Sequence, residues 1–458
     1  MTDRPRTTVV PRWSVHRRAA SPVWSQQGFP RIWIALSGSH LGSQVTLFAL
    51  PTLAVIGLGA SNLQVGLLRA LDAAAFPVLG LLVGALADYG DARRLLISAD
   101  LVRLVALGSV PVSAALGVLT MSQLYVVAAV VGVGFVFSTI PFMAVVPRLV
   151  DRPLLAPANA RLTLAESVAE VSGPGLAALL VRMIGAANAL LVDVASYVLS
   201  IWMVLGIPRE RLAPPPVASR PRLGKALGEG IRLVLRNEVL RGVVCVATVA
   251  NLAFGAAPTV LLLMWYRELG HHPASLGFAL SCGSAGLVAG SVVVNRMIRL
   301  VGYAGTFASG VALLAGSFVV LCLIPLQHTE LTAAVVLSAG WLVQSTSGPI
   351  INVAQGTIRQ SITPQGLQGR MNAAIRTFGW GALPVGSALG SWLSGVLGYS
   401  AVLALCGVLA GLAILPILLS RVRLMRRDAD LAREESRIRA ALGGEPMIPP
   451  GASETATL

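Results

Sequence analysis

The sequence predicts an all-α membrane protein whose twelve transmembrane helices form two pseudo-repeats of six. The first observation is composition: 458 residues that are 55% hydrophobic and 12% charged, with a mean hydropathy of +0.76. A soluble protein of this length needs far more polar surface. The second is a series of apolar stretches, each long enough for the roughly 20 residues that span a bilayer. The third is an uneven distribution of arginine between alternate loops.

The apolar stretches predict twelve spans, separated by polar or Gly-containing breaks. They lie at approximately 33–58, 63–87, 95–117, 121–146, 160–183, 187–207, 240–266, 275–297, 303–326, 331–357, 371–397 and 400–420. An even number of spans places both termini on the same side of the membrane.

The formal charge is +15, and the positive residues are distributed unevenly between the two sets of loops in the predicted topology. One set of loops has only Arg182 and Arg267, whereas arginines crowd the N-terminal tail, the other loops and the segment 421–427. This positive-inside asymmetry predicts cytoplasmic termini in the plasma membrane and removes the need for a nucleic-acid partner. The four cysteines have no paired spacing, so we expect neither a metal site nor a disulfide, and no cofactor motif is present.

The longest break between spans divides the predicted chain. Its sequence IPRERLAPPPVASRPRLG is Pro- and Arg-rich, and an amphipathic helix follows it. GLLVG at 80–84 and GLVAG at 286–290 occupy corresponding places in the two halves, as expected for parallel six-helix repeats with a site between them. The predicted divisions are a basic cytosolic tail (1–31), a six-helix half (32–207), a cytosolic linker (208–239), a second half (240–420) and a cytosolic C-terminal tail (421–458).

The loop after span two carries a specific motif. It has Gly84 and Asp88, the pair Arg93-Arg94, then Asp100 and Arg103 within span three. With PRLVDRPLLAPANA and RQSITPQGLQGRMNAAIRTFGWGALPVGSALGSWL, it resembles the major facilitator superfamily, most closely the twelve-helix drug:proton antiporter branch. That branch includes enterobactin-type exporters and macrolide and tetracycline efflux proteins.

The resemblance implies that this motif is a cytosolic gate, which latches the two halves in the outward-facing state. Asp88 is expected to cap span eleven or to pair with Arg370. Tyr89 stands where the family has arginine, so Arg93 and Arg94 must supply the positive partners. The alternative is a solvated loop with positive-inside arginines.

Two carboxylates in span five, Glu166 and Glu170, are candidates for proton coupling. They are four residues apart and therefore share a helix face, and Glu170 lies near the middle of the span. An ionised carboxylate at that depth must face the bundle interior or a water-filled cavity. Gly173, Pro174 and Gly175 follow and resemble the family's antiporter motif. These small residues would allow the two halves to close one side of the transporter as they rock, or they serve only for close helix packing.

Other intramembrane groups compete for the coupling role. Asp72 is either a functional carboxylate or the static partner of Arg69, and Asp193 is either a proton site or a structural hydrogen-bonding group. His40 is either a functional group that gains and loses a proton or a hydrogen-bonded packing residue. The remaining polar and aromatic candidates are expected to line a substrate cavity: Ser39, Ser43, Gln44, Arg69, Asn251, Gln344, Asn352, Arg376 and Trp380.

Together these patterns predict a monomeric, proton-coupled exporter of a small amphiphilic molecule such as a drug, antibiotic or siderophore, working by alternating access. An uptake transporter or facilitator of a small polar metabolite is the alternative, followed by a non-transporting membrane sensor. Phosphate-binding loops and hydrolase motifs are missing from the sequence, so we predict that the protein is not an enzyme.

Overall fold

A computed structural model describes residues 23–212, 223–364 and 367–441. These residues are helical, with no β-strand among them. The helices are α1 Phe29–Thr52, α2 Asn62–Tyr89, α3 Ala92–Ala115, α4 Met121–Leu149, α5 Leu155–Ile184, α6 Ala186–Ala189, α7 Leu191–Leu205, α8 Arg209–Leu212, α9 Leu223–Arg236, α10 Glu238–Leu263, α11 Pro273–Ser284, α12 Gly286–Leu321, α13 Glu330–Ile362, α14 Gln368–Leu397, α15 Tyr399–Leu412, α16 Ile414–Leu419 and α17 Asp428–Ala441.

Twelve crossings can be traced through the described residues. Ten stretches are long and apolar enough to span a membrane. One of them, Pro273–Leu326, holds two crossings because Gly302 (φ 75°) breaks helix α12 in its middle. Helix α14, 30 residues long, supplies the twelfth. The predicted class of all-α membrane protein is therefore confirmed.

Side-chain caps fix where several spans begin. The Ser61 hydroxyl oxygen accepts a hydrogen bond from the backbone N–H of Gln64, and the Ser61 backbone N–H donates to the side-chain oxygen of Gln64, which completes a capping box. Thr120, Asn237 and Thr329 cap α4, α10 and α13 in the same manner, through the N–H three residues on. Each cap satisfies a backbone donor that would otherwise be unpaired at a helix end.

Some helices extend beyond the apolar stretches that predicted them. Helix α5 begins at Leu155 rather than near residue 160, and α13 continues to Ile362 rather than to residue 357. Hydropathy detects only the part of a helix that lies in hydrocarbon, whereas the backbone stays helical into the polar layer. The two glutamates of α5 therefore lie deeper along their helix than expected.

The bundle has two sides. We call the tail side the one where α1 begins and where α8, α9 and α17 lie, and the hairpin side the opposite one, where α1 ends and α2 begins. Helix α9 packs on α14, and α17 packs on α13. Residues 1–22, 213–222 and 442–458 of the predicted tails and linker lie outside the described residues, and the division into domains stays a prediction.

Candidate functional site

On the hairpin side, α2 of the first six helices packs directly against α14 of the second six. A β-carbon on Gly66 would lie 2.4 Å from Cβ of Ser391, so the two backbones are in close contact. Asn62 donates to Ser394 Oγ (3.2 Å) and accepts from Tyr399 Oη (3.2 Å). These contacts close this side of the bundle between α2 and α14.

A second contact closes the same side between α5 and α11, and the Gly-Pro-Gly motif forms it. The Gly175 N–H donates to Ser281 Oγ (2.7 Å). A β-carbon on Gly277 would lie 2.4 Å from the Pro174 carbonyl oxygen and 2.2 Å from Cβ of Ala178. Only a glycine allows the two helices this approach, so the motif residues are packed between the two halves.

Toward the tail side, the described part of α5 has no packing contact with the second six helices like the one it makes with α11. A β-carbon on Gly84, near the tail-side end of α2, would meet nothing within 4 Å. Glu166, Glu170 and Pro174 follow one another at four-residue intervals, so the glutamates lie on the α5 face that meets α11 further along. Glu170 is exposed and lies one turn on the tail side of that contact. The two carboxylates are therefore at the inner end of an opening between the halves.

His40 of α1 faces the same opening. Its Nε2 lies 3.3 Å from Glu166 Oε1, although the contact lacks hydrogen-bond geometry. The side chains are 21% and 39% exposed. Glu166 is the twelfth and Glu170 the sixteenth of 30 residues in α5, so Glu170 lies roughly 22 Å along a helix of about 45 Å. The structure thus brings together three of the predicted coupling residues at mid-depth.

The other predicted carboxylates converge within the first six helices. Asp72 and Asp193 line one cavity of about 190 Å³, together with Ser43, Arg103 and Trp380. Asp193 is fully buried and accepts hydrogen bonds from Thr46 (2.5 Å). It also accepts from Tyr197 (2.8 Å) and Ser196 (3.0 Å).

Arg103 is the buried cation of this cavity. It is 1% exposed, with Nη1 3.5 Å from Asp100 Oδ1, Nη2 donating to Ser43 Oγ (3.1 Å), and its guanidinium 4.2 Å from the Tyr197 ring centroid. Asp100 also accepts from Ser138 (2.9 Å) and Ser200 (2.6 Å). We call Asp72, Asp100, Arg103 and Asp193 the carboxylate–arginine cluster. It contains three carboxylates and one guanidinium.

Asp100 and Arg103, which the resemblance assigned to the cytosolic gating motif, lie inside the bundle, and their role in a gate stays a prediction. Helix α3 begins at Ala92, so these residues lie roughly 12 and 17 Å along it, inside the bundle. The sequence also gave no direct sign of Thr46, Ser138 or Ser200 as partners. The spacing of Asp193 and Tyr197 at i and i+4 was a usable signal, since it puts both on one helix face.

A direct ion pair between Asp72 and Arg69 is not found among the described residues, although the two charges interact electrostatically. Arg69 instead donates to the carbonyl of Leu47 (3.2 Å), and no ion pair within 4 Å joins it to Asp72. Arg69 lines a second cavity of about 150 Å³, with Gln44, Pro174 and Trp341 around it. That cavity lies between the halves, beside the Gly-Pro-Gly motif.

The residues predicted to line a substrate cavity differ in their exposure and location. Trp380 is 42% exposed and packs against Phe76 of the other half, with ring centroids 4.4 Å apart and the ring planes tilted by 32°. Ser39 is half-buried and Asn352 is exposed. Gln344 is 1% exposed, and its amide makes no hydrogen bond to any described residue. Asn251 lies near Gly379, where α10 packs on α14.

In the loop after α2, hydrogen bonds and an ion pair fix residues of the predicted gate. Asp91 caps α3 through the N–H of Arg94 (3.3 Å) and forms an ion pair with Arg209 (2.8 Å). Partial burial by itself raises the pKa of Asp91, but the hydrogen bonds from Arg209 and Arg94 bring it below its usual value. Arg93 donates to the Leu205 carbonyl (2.7 Å). The side chains of Asp88, Arg370 and Arg376 lie outside the described part of the structure, so the latch stays a prediction.

The chain resembles known transporters over most of its length. Residues 18–442 match the family model described as transmembrane secretion effector. The multidrug efflux pump Tap of Mycolicibacterium fortuitum is 26% identical over 401 residues, which cover 85% of this chain and 94% of that protein. Tap of Mycobacterium tuberculosis H37Rv is 25% identical over 409 residues, which cover 86% and 94%.

Solved structures agree on the fold. A bacterial homologue of the iron transporter ferroportin, in an inward-facing state, superposes with a TM-score of 0.65 at 13% identity, covering 86% of this chain and 98% of the other. The nucleoside transporter NupG gives a TM-score of 0.68 at 9% identity, covering 86% and 99%. The chain is thus a multi-pass membrane transporter that belongs to the transmembrane secretion effector family of the major facilitator superfamily.

Proposed function

We propose that this secondary transporter is a proton-coupled exporter of small amphiphilic molecules in the plasma membrane, with both termini in the cytoplasm. The arginine distribution supports the orientation, because the tail side carries the basic loops. The tail side is then cytoplasmic, and the described arrangement is inward-facing. Export is favoured by the relatives, which are named multidrug efflux pumps.

The observation that carries proton coupling is the position of Glu170 and Glu166. They stand at mid-depth on the face of α5 that meets the second half, where the opening from the tail side ends. A carboxylate in hydrocarbon is costly, whereas one in a hydrated passage can exchange protons with the bulk. Rocking of the halves would expose the same groups to the other side, so each proton bound outside could be released to the cytoplasm.

Besides Glu166 and Glu170, the carboxylate–arginine cluster provides a second site that could take up a proton or a cationic substrate. Fully ionised, its three carboxylates exceed the nearby guanidinium groups by one even when Arg69, which interacts electrostatically with Asp72, is counted with Arg103, and uncompensated charge is unfavourable in a buried cavity. Protons on Asp72 or Asp193, or a cationic substrate beside them, would restore the balance. Competition between proton and substrate for this charge is a direct means of coupling their opposite movements.

The residues that line the cavity of Asp72 and Asp193 indicate the class of substrate. Trp380 and Phe76 present aromatic faces at the cavity that Asp72 and Asp193 line. Aromatic faces and carboxylates together favour a flat or apolar molecule with a positive charge. A simple anion would meet two carboxylates there against the single guanidinium of Arg103, and we therefore propose cationic or zwitterionic amphiphiles as cargo.

The test is transport in proteoliposomes with an imposed pH gradient. Ethidium, an aromatic lipophilic cation, serves as the probe, and wild type is compared with Glu170→Gln and Asp72→Asn. We expect both variants to lose gradient-driven ethidium movement, while Glu170→Gln, which leaves the cavity lined by Asp72 unchanged, still binds the dye. Glu268→Gln is the matched control, because Glu268 is an exposed carboxylate on the hairpin side. Unchanged transport in both Glu170→Gln and Asp72→Asn would disprove the assignment of the proton sites.

A further inference from the structure

A basic groove on the tail side belongs to none of the sites above. It has a volume of about 540 Å³ and lies between the break in α12 and the end of α16. Four arginines line it: Arg299, Arg423, Arg426 and Arg427. Its other walls are apolar and include Leu300, Val301, Ile417 and Leu418. We call it the arginine groove.

The backbone holds these arginines in place. Gly302 has φ 75°, a conformation that favours glycine, and a β-carbon there would lie 2.5 Å from the Arg426 carbonyl oxygen. Beside it, the Tyr303 N–H donates to the Arg426 carbonyl (3.3 Å) and the Ala304 N–H donates to the Met425 carbonyl (2.9 Å). The segment that carries Arg423, Arg426 and Arg427 is therefore fixed against the break in α12.

Nearby carboxylates do not neutralise the groove. Asp428 accepts a hydrogen bond from the Tyr303 hydroxyl (2.9 Å), and Asp430 accepts from the backbone N–H groups of Arg426 (3.3 Å) and Arg427 (3.0 Å). Among the described residues, none of the four groove guanidinium groups has an ion-pair partner within 4 Å. The groove thus presents four positive charges to whatever occupies it.

We propose that the arginine groove binds one anionic phospholipid of the tail-side leaflet. The guanidinium groups match phosphate oxygens in geometry and charge. The groove lies where two spans end, and Leu300 (74% exposed), Leu418 (50%) and Leu419 (78%) offer apolar surface for acyl chains beside it. Basic pockets between helices at this level of a membrane suit phospholipid headgroups. A free phosphate would satisfy the charge but would leave this apolar wall uncovered.

The test measures lipid binding to the full-length protein in detergent by native mass spectrometry. The probes are dioleoyl phosphatidylglycerol, dioleoyl phosphatidylcholine and soluble glycerol phosphate. We expect phosphatidylglycerol to bind about tenfold more tightly than phosphatidylcholine, and glycerol phosphate at millimolar concentration not to displace it. The double variant Arg426→Gln, Arg427→Gln should weaken phosphatidylglycerol binding by about tenfold or more, because it removes two of the four positive charges that line the groove.

The control removes the same charge from the same side of the membrane. Arg232 and Arg236 are exposed on α9 and do not line the groove. Their double substitution to Gln should leave phosphatidylglycerol binding within about twofold of wild type. Equal affinity for the two lipids, equal losses in the two double variants, or displacement by glycerol phosphate would each overturn the proposal. Thermal melting of each variant verifies that it is folded.

Discussion

Replacing Gly277 by Ala should shift the transporter away from the arrangement described here. The new β-carbon would lie 2.2 Å from Cβ of Ala178 and 2.4 Å from the Pro174 carbonyl oxygen, well inside van der Waals contact. One obstacle is backbone, so a rotamer change cannot relieve the clash, and α5 and α11 must separate. Overpacking of this kind costs about 1–3 kcal/mol. The hairpin side would therefore open about 5- to 150-fold more often.

The assay for this opening is thiol labelling from the hairpin side. Ser391 is fully buried between α2 and α14, so a cysteine at this position reacts with a membrane-impermeant maleimide only when that side opens. The background replaces the four native cysteines, Cys245, Cys282, Cys322 and Cys406. We expect Gly277→Ala to raise the labelling rate at least about fivefold.

Gly316→Ala is the matched control, because a β-carbon on Gly316 would meet nothing within 4 Å. It should leave the labelling rate at the wild-type value. A rate for Gly277→Ala equal to that of Gly316→Ala would refute the reasoning, since it would mean that the two halves do not depend on this glycine contact to close the hairpin side.

Three further predictions concern the cluster, the cavity and the tail-side loop. Arg103→Gln should lower stability by about 3–5 kcal/mol, measured as a fall in melting temperature, because it leaves buried carboxylates without their cation; exposed Arg296→Gln should melt like wild type. Trp380→Ala should weaken ethidium binding about two- to tenfold, measured by fluorescence titration, since it removes an aromatic face; equal affinities would contradict the cargo assignment. Asp91→Asn should keep the α3 cap but lose the ion pair to Arg209, so stability falls by less than about 1 kcal/mol. The folded-state pKa of Asp91 is lowered, so its contribution is complete above about pH 4 and is lost as the pH falls below that value. Melting temperatures of wild type and variant should therefore converge in acid, and a constant difference would exclude the charge effect.

The sequence predicted the twelve spans because each must bury about 20 apolar residues, which is a local and additive property. It predicted less well where the helices begin, as α5 shows, because polar surface residues continue a helix without adding hydropathy. It also identified Glu166, Glu170, Asp72 and Asp193 as unusual, since a carboxylate within a span requires a special environment. It could not indicate which of these carboxylates share a cavity.

Which groups share a cavity is a matter of contacts between distant parts of the chain. Thr46 and Asp193 are 147 residues apart, and Ser200 and Asp100 are 100 apart, yet each pair forms a buried hydrogen bond. Asp100 and Arg103 were assigned to the cytosolic gate because of their place in a motif. Their burial follows from packing against α1, α4 and α7, which no local pattern encodes.

The amino-acid sequence by itself determined that this chain crosses a membrane twelve times, approximately where each crossing lies and how arginine is divided between the two sides. Those properties depend on hydrophobicity and charge within short windows. Only the tertiary structure decided that the hairpin side is closed, that Arg103 is the cation of a buried cluster and that four arginines surround one groove. Those features depend on which helix faces meet, and helix faces meet through the shapes of small residues such as Gly66 and Gly277 rather than through hydropathy.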